Sequence, residues 1–155
     1  MSFQISALPY DSFADLFDLD DAALKARGAV RAVATHKPGF PCRVSLADAE
    51  PGEEIILVNY EHQDADTPYR SRHAIWVRRN AETARPDIDE TPAQLRTRTL
   101  SMRAFDTAGM IVKAELVDGA EIETMIAAMF ADPAAAYIHA HFAKPGCYAA
   151  RIDRA

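Results

Sequence analysis

The chain has 155 residues, 49% of them hydrophobic and 26% charged, a composition typical of one globular domain and unlike that of a disordered or fibrous chain. Its formal net charge of −6 argues against nucleic acid and anionic membranes as partners, because both bind clustered positive charge. With no basic-then-apolar leader and no apolar run of about 18 residues, we expect a single cytoplasmic domain over residues 1–155, with Cys42 and Cys147 reduced.

The first third of the chain predicts two strands separated by short helices. Residues 3–8 alternate in polarity as a strand does, and Asp11 or Ser12 can cap a short helix through residues 13–17. A second short helix is expected from Asp20 to Arg27, followed by a strand over residues 29–34.

The middle of the chain predicts two further strands and one helix. A turn at residues 36–41 is followed by a brief extended segment at 42–46. Residues 54–60 are almost continuously apolar and β-branched, which favours a central strand covered on both faces.

A polar loop over residues 61–72 is expected to lead into a strand at 73–78. Thr91 precedes Pro92, so it could cap a helix over residues 93–98.

The last third predicts two hairpins around one helix. Residues 100–106 and 110–117 flank a glycine-containing turn, and residues 137–143 and 147–153 flank a second one. Between them, apolar residues recur at helical spacing from Gly119 to about Phe130. We therefore expect an α+β fold, with an antiparallel or mixed sheet built from hairpins and a few short helices packed on one side.

The last hairpin carries the residues with the most reactive chemistry. His139 and His141 lie two positions apart on a strand, so their side chains share one face. If residues 144–146 form a three-residue loop, Ala143 pairs with Cys147, His141 with Ala149 and His139 with Arg151. That register would place both histidines, Cys147 and Arg151 on one face, whereas a four-residue loop would remove the latter two.

These side chains allow three kinds of site. Two imidazoles, with His62 or His73 from elsewhere in the fold, are suitable ligands for zinc or a similar divalent ion, but Arg151 would repel a cation. Cys147 could instead be a nucleophile activated by His139 or His141.

The third kind of site is an anion pocket. Arg151, together with Arg43, Arg70 or Arg103, could bind a carboxylate or phosphate while the histidines move protons, and Tyr69 lies on an adjacent polar loop. We favour this hypothesis over a metal because it uses the arginines. A solvated or hydrogen-bonded polar face with no function would carry the same residues.

Five sequence blocks carry a resemblance to a known family. They are Pro41-Cys42-Arg43-Val44-Ser45-Leu46, Leu57-Val58-Asn59-Tyr60-Glu61-His62, Thr67-Pro68-Tyr69-Arg70, Leu100-Ser101-Met102-Arg103-Ala104-Phe105-Asp106, and His139-Ala140-His141 with Gly146-Cys147. In this order they resemble a bacterial family of similar length catalogued as domain of unknown function 1203. The resemblance implies a single-domain bacterial protein and no particular activity. Because the same blocks hold the chemically interesting residues, it favours a shared pocket, although a polar network that determines the fold would leave the same pattern.

The sequence therefore predicts a domain that binds or transforms a small anionic molecule in a His/Cys/Arg pocket. The alternatives are a non-catalytic interaction module, such as a homodimer formed through a sheet face or edge, and a divalent-metal protein that uses His139, His141 and His62.

Overall fold

The computed structural model describes residues 1–155 and contains eight strands and three short α-helices. The strands form two antiparallel sheets. The strands are β1 (Phe3–Ser6), β2 (Ala29–Val33), β3 (Glu54–Gln63), β4 (Ser71–Arg78), β5 (Thr99–Phe105), β6 (Ile111–Asp118), β7 (Tyr137–Phe142) and β8 (Tyr148–Arg154). The helices are α1 (Asp21–Ala26), α2 (Ala93–Arg96) and α3 (Ile122–Phe130), with 3-10 turns at Tyr10–Ser12, Ala14–Asp18 and Gly119–Glu121. The predicted α+β class is confirmed. None of the helices is long and apolar enough to span a membrane.

The first sheet has five strands in the order β1-β8-β7-β5-β6. Both predicted hairpins, β5–β6 and β7–β8, are present, and β7 also pairs with β5. One face of this sheet packs against α3, whose apolar positions face Ile138, Ala140 and Phe142 of β7. Because side chains alternate along a strand, His139 and His141 point away from α3, toward the second sheet.

The second sheet has three strands in the order β2-β3-β4, with β3 in the predicted central position. Ile55 and Ile56, on opposite faces of β3, are both fully buried. The first two 3-10 turns and α1 pack apolar side chains over this sheet. The Asp20 side chain caps α1 by accepting a 2.8 Å hydrogen bond from the amide of Ala23.

The polar loop predicted over residues 61–72 is shorter in the structure, where residues 64–70 lie between the two strands. β3 continues to Gln63 and β4 begins at Ser71, so the two strands form one long hairpin. Strand pairing extends into the polar residues because one face of each strand is half-exposed there, so polarity alone does not end the ladder. As a consequence, His62 lies on a strand and not in a loop.

Two smaller predictions are also wrong. The segment at 42–46 is a turn with only isolated bridges at Pro41 and Cys42, because the chain reverses direction to bring Pro41 back to Asp48. Thr91 does not cap α2, since the residue at the cap position is Pro92 and no side chain caps this helix. The helix is correspondingly short.

The two sheets meet at the β7–β8 hairpin. Tyr148, the first residue of β8, is buried in the hydrophobic cluster of the second sheet. Arg43 bridges the layers, because its amide bonds to the Trp76 carbonyl in β4 and its Nε donates to the Tyr148 carbonyl at 2.7 Å. Residues from both sheets therefore line the space between them.

Candidate functional site

Four of the five histidines of the chain meet where the two sheets face each other. His62 and His73 come from β3 and β4, and His139 and His141 come from β7. One ring nitrogen from each of His62, His73 and His141 lies within 4.8 Å of the other two. The ring of His139 lies beside this trio, with its centroid 5.7 Å from that of His62. We call these four residues the histidine cluster.

Two β-bulges shape the histidine cluster. His62 is the extra residue of a bulge in β3, between the positions that pair Glu61 with Arg72 and Gln63 with Ser71. A bulge reorients the side chain of the extra residue, which allows His62 to face the neighbouring sheet. The second bulge lies in β8, opposite His141.

The bulge in β8 changes the predicted register of the last hairpin. The pairing of His139 with Arg151 is confirmed, but His141 pairs with Tyr148 and not with Ala149. The extra residue shifts the remainder of β8 by one position, and such a shift turns a side chain to the other face. Tyr148 therefore lies opposite His141, in the position that was predicted for Ala149.

Cys147 lies outside the histidine cluster and borders a neighbouring cleft. Its Sγ is 2.9 Å from Nη2 of the buried Arg43, which donates the hydrogen bond. The hydrogen-bond partner of Cys147 is thus Arg43, whereas the prediction paired it with His139 or His141.

Hydrogen bonds fix the orientation of one ring and pair two others. Nδ1 of His141 lies 3.0 Å from the carbonyl oxygen of Gly146, an acceptor, so Nδ1 carries the hydrogen and Nε2 presents its lone pair. Nδ1 of His73 and Nε2 of His62 are 2.9 Å apart. Three buried ring nitrogens have no partner: Nδ1 of His62, Nδ1 of His139 and Nε2 of His141. Buried polar atoms without a partner are uncommon in folded proteins.

All four rings are neutral at neutral pH. Burial lowers the pKa of His141 to about 2, that of His139 to about 3 and that of His62 to about 4. Burial also lowers the pKa of His73. The positive charge of Arg103 acts in the same direction on every ring. The lone pairs are thus available to a ligand without the loss of a proton.

Of the predicted ligand-binding arginines, Arg103 is the one beside the histidine cluster and free of an acidic partner. It pairs with His139 across β5 and β7, so the two side chains share a face. Its contact with Ser101 Oγ is long, at 3.5 Å, and no carboxylate is paired with it. Arg151 lies on the same face but forms an ion pair with Asp153 at 2.8 Å.

Tyr69 and Arg70, which were predicted to bind a ligand, lie outside the histidine cluster. Arg70 is exposed and donates to the Glu61 carboxylate at 2.5 Å. Tyr69 is 38% exposed and meets the ring of Phe105 edge-on, with centroids 6.4 Å apart. Both residues lie on the loop that joins β3 to β4, beyond the bulge.

An open cleft of about 730 Å³ adjoins the histidine cluster through His73, which borders both. Arg43 and Cys147 lie at its wall, Trp76 of β4 contributes aromatic surface, and the buried Phe142 of β7 also borders it. Arg43 is the only predicted ligand-binding arginine in the wall of this cleft.

Sequence reasoning found most of the histidine cluster but assembled it incompletely. His73 enters only as an alternative to His62, whereas both are present, one on each strand of the same hairpin. Tyr148 and Trp76 were missed. Trp76 lies on the face of β4 opposite Ile75 and Val77, and this alternation could have indicated an aromatic side chain outside the core. The position of Tyr148 depends on a bulge that has no signal in the sequence.

Comparison with known proteins gives one match. The chain belongs to the family described as "Protein of unknown function (DUF1203)", whose profile matches residues 39–154. The matched region contains all four members of the histidine cluster, Arg43 and Arg103, whereas the fifth histidine, His36, precedes it. Neither the curated proteins nor the solved structures contain a match.

Proposed function

We propose that this DUF1203 domain binds one divalent transition-metal ion, zinc or a close relative, through His62, His73 and His141, and presents it to a small molecule. The observation that carries the proposal is the convergence of one nitrogen from each ring within 4.8 Å, at a junction between two sheets. Imidazole nitrogen is a preferred ligand of zinc, copper, nickel and iron.

The ring nitrogens of the histidine cluster are oriented so that a lone pair is available to a cation. The bond from His141 Nδ1 to the Gly146 carbonyl leaves Nε2 directed at a ligand, and histidines that bind metals commonly anchor their other nitrogen on a carbonyl in this way. The same Nε2 is buried and has no partner in the protein. A bound ion would satisfy this atom and would replace the contact between His62 and His73 with two coordinate bonds.

Three protein ligands leave a zinc ion with an open coordination position. His141 is fully buried, whereas His62 and His73 are half-buried, so the solvent side of the cluster lies near the latter two. Structural zinc sites are closed by four protein ligands, whereas catalytic sites keep one position for water or substrate. The arrangement therefore favours a site that acts on a small molecule.

A metal accounts for the cluster better than an anion bound by the histidines themselves. Neutral rings contribute no positive charge toward an anion. Arg70 and Arg151, two of the predicted anion ligands, are paired with Glu61 and Asp153. An anion fits this site as a ligand of the metal, not as a substitute for it.

An interaction module has weaker support. The exposed apolar side chains on strands are divided between β2, with Val30 and Val33, and β6, with Val112 and Leu116. These are edge strands of different sheets, so the apolar side chains do not form one contiguous strand face. We also propose the cytoplasm as the location, since Cys42 and Cys147 are free thiols.

The test is metal analysis combined with substitution of single histidines. Protein stripped with a chelator is titrated with zinc against a competing chromophoric chelator, and the cobalt form is examined by visible absorption. We expect one equivalent of metal and the absorption of a four-coordinate cobalt site with three nitrogen ligands. His73→Ala, a change at a half-buried position, should lower the zinc affinity on the order of 100-fold, which corresponds to about 2.7 kcal/mol.

His36→Ala is the matched control, because His36 is exposed and lies outside the cluster. It should bind zinc as the unmodified protein does. The proposal fails if the folded protein binds less than about one equivalent at micromolar zinc, or if His73→Ala and His36→Ala have equal affinities.

A further inference from the structure

We infer that the cleft beside the histidine cluster binds a small organic anion, a carboxylate with a flat apolar body, whose charged head lies at the His73 end. This inference rests on the proposed function only in making the metal a partner of the head group. The cleft, at about 730 Å³, is within the range of sites that enclose small molecules, about 300–1,000 Å³.

The charge of the cleft wall is positive in an acidic protein. The chain has 23 acidic and 17 basic side chains, yet the wall of the cleft contains Arg43, Arg98 and Lys144 and no acidic residue. Arg98 is neutralised from behind by Asp48, at 2.5 Å. Arg43 and Lys144 therefore remain without carboxylate partners, and they are complementary to an anion.

Arg43 is a buried cation without a counter-ion. It is 1% exposed, and its side chain donates to the carbonyls of Pro41 and Tyr148 and to Sγ of Cys147. These three contacts occupy three of the five guanidinium N–H groups and include no carboxylate. A buried charge without an opposite charge nearby is costly. The protein supplies no carboxylate for Arg43, so the guanidinium would attract an anion bound in the cleft.

The apolar walls select the body of the ligand. The half-buried Trp76 offers a flat ring, and the exposed Pro38 and Pro145 extend the apolar surface. Phe142 is 3% exposed, and its ring contacts the guanidinium groups of Arg43 and Arg98. Aromatic and proline surfaces bury a flat organic group efficiently, and the indole N–H of Trp76 is the single polar group on these tryptophan and proline side chains. A small inorganic anion would leave most of this surface in contact with water.

The position of His73 places the head of the anion. His73 borders the cleft and belongs to the trio of metal ligands, and the charge of Arg43 is close enough to act on its ring. A carboxylate at this end would reach the open position of the metal while Arg43 neutralises its charge. The apolar body would then extend along Trp76.

The single tryptophan of the chain gives a direct assay, because Trp76 is the only indole and lines the cleft. Zinc-loaded and chelator-treated protein are each titrated with phenylacetate and with phenylacetamide, its neutral isostere, while Trp76 fluorescence is followed. We expect phenylacetate to bind on the order of 10-fold more tightly than phenylacetamide to the zinc form. The preference should be smaller, about 3-fold, in the metal-free form, where Arg43 and Lys144 act alone.

Lys144→Gln removes an exposed charge at the rim, so it should fold normally and lower the preference for the acid about 2-fold, with the remainder due to Arg43 and the metal. Lys25→Gln, an exposed position on α1 away from the cleft, is the matched control and should change nothing. Equal affinities for acid and amide in the zinc form would overturn the inference, as would a preference that Lys144→Gln leaves intact. Failure to bind metal would leave the 3-fold preference of the metal-free form in place, so the two failures can be told apart.

Discussion

Acidification below about pH 6.5 is expected to destabilise the metal-free protein before its carboxylates begin to titrate. His139 and His141 are 2% and 0% exposed, and burial lowers their pKa values to about 3 and about 2. In the unfolded chain both rings return to an ordinary pKa near 6.5. Between these values the unfolded state binds protons that the folded state does not. Stability is therefore complete above about pH 6.5 and is lost as the pH falls.

The size of the effect follows from this difference in proton binding. At about pH 5 each unfolded ring is almost fully protonated, while the folded rings of His139 and His141 are almost fully neutral. Each ring then costs about 2 kcal/mol, or about 4 kcal/mol for the two together, from the free energy of protonating a group of pKa near 6.5. A loss of this size is a large fraction of the stability of a typical domain, about 5–15 kcal/mol.

Urea denaturation at several pH values between about 8 and 5, in the presence of a chelator, measures the effect. Above about pH 5 the carboxylates contribute little, because their unfolded pKa values lie near 4. His139→Gln should reduce the pH dependence by about 2 kcal/mol, since one of the two buried rings is gone. His36→Gln changes an exposed ring outside the cluster and should leave the pH dependence as it was.

The reasoning is refuted if unfolding free energies at about pH 5 and about pH 8 agree within about 1 kcal/mol. That result would mean that the folded rings accept protons as readily as the unfolded ones. The histidines would then be solvated side chains, and the proposed metal site would lack buried, neutral nitrogen donors.

Three substitutions test the packing around the site, each by urea denaturation at neutral pH. Arg43→Ala should cost about 3 kcal/mol, because it leaves two buried carbonyl oxygens without donors. Gly119→Ala should cost more than about 2 kcal/mol, since an added Cβ would lie 2.0 Å from the carbonyl oxygen of Leu95 and the backbone would have to move. Asp20→Ala should cost about 1 kcal/mol through loss of the cap to the Ala23 amide, and an unchanged stability would show that this cap is dispensable.

The sequence was sufficient for the hairpins, since alternation and glycine turns are local signals. The β5–β6 and β7–β8 pairings and the apolar face of β7 all follow from such signals. It was not sufficient for the two bulges, because a bulge is one extra residue whose position is decided by pairing across the sheet. The bulge in β8 places Tyr148 opposite His141, where Ala149 was expected, and the one in β3 turns the His62 side chain toward the neighbouring sheet.

The division into two sheets was equally inaccessible, and it determines the composition of the site. His62 and His73 belong to a hairpin that shares no strand with β7, so their meeting with His141 depends on how the sheets pack. No spacing along the chain encodes that contact. What the sequence did provide was the pair His139 and His141 on one rigid strand, with their register to Arg103 and Arg151 following from strand pairing.

Arg103 connects the proposed metal site with the inferred anion. Its guanidinium faces the histidine cluster, burial lowers its pKa, and no carboxylate neutralises it. A positive charge beside a cation weakens the binding of the bare ion, so a structural metal site would gain nothing from Arg103. The same charge would stabilise an anion bound beside such an ion, including the carboxylate of a ligand in the cleft. The combination of a divalent ion and Arg103 therefore fits a site in which the ion and an anion are bound together, and the cleft bordered by Arg43 is where that anion would come from.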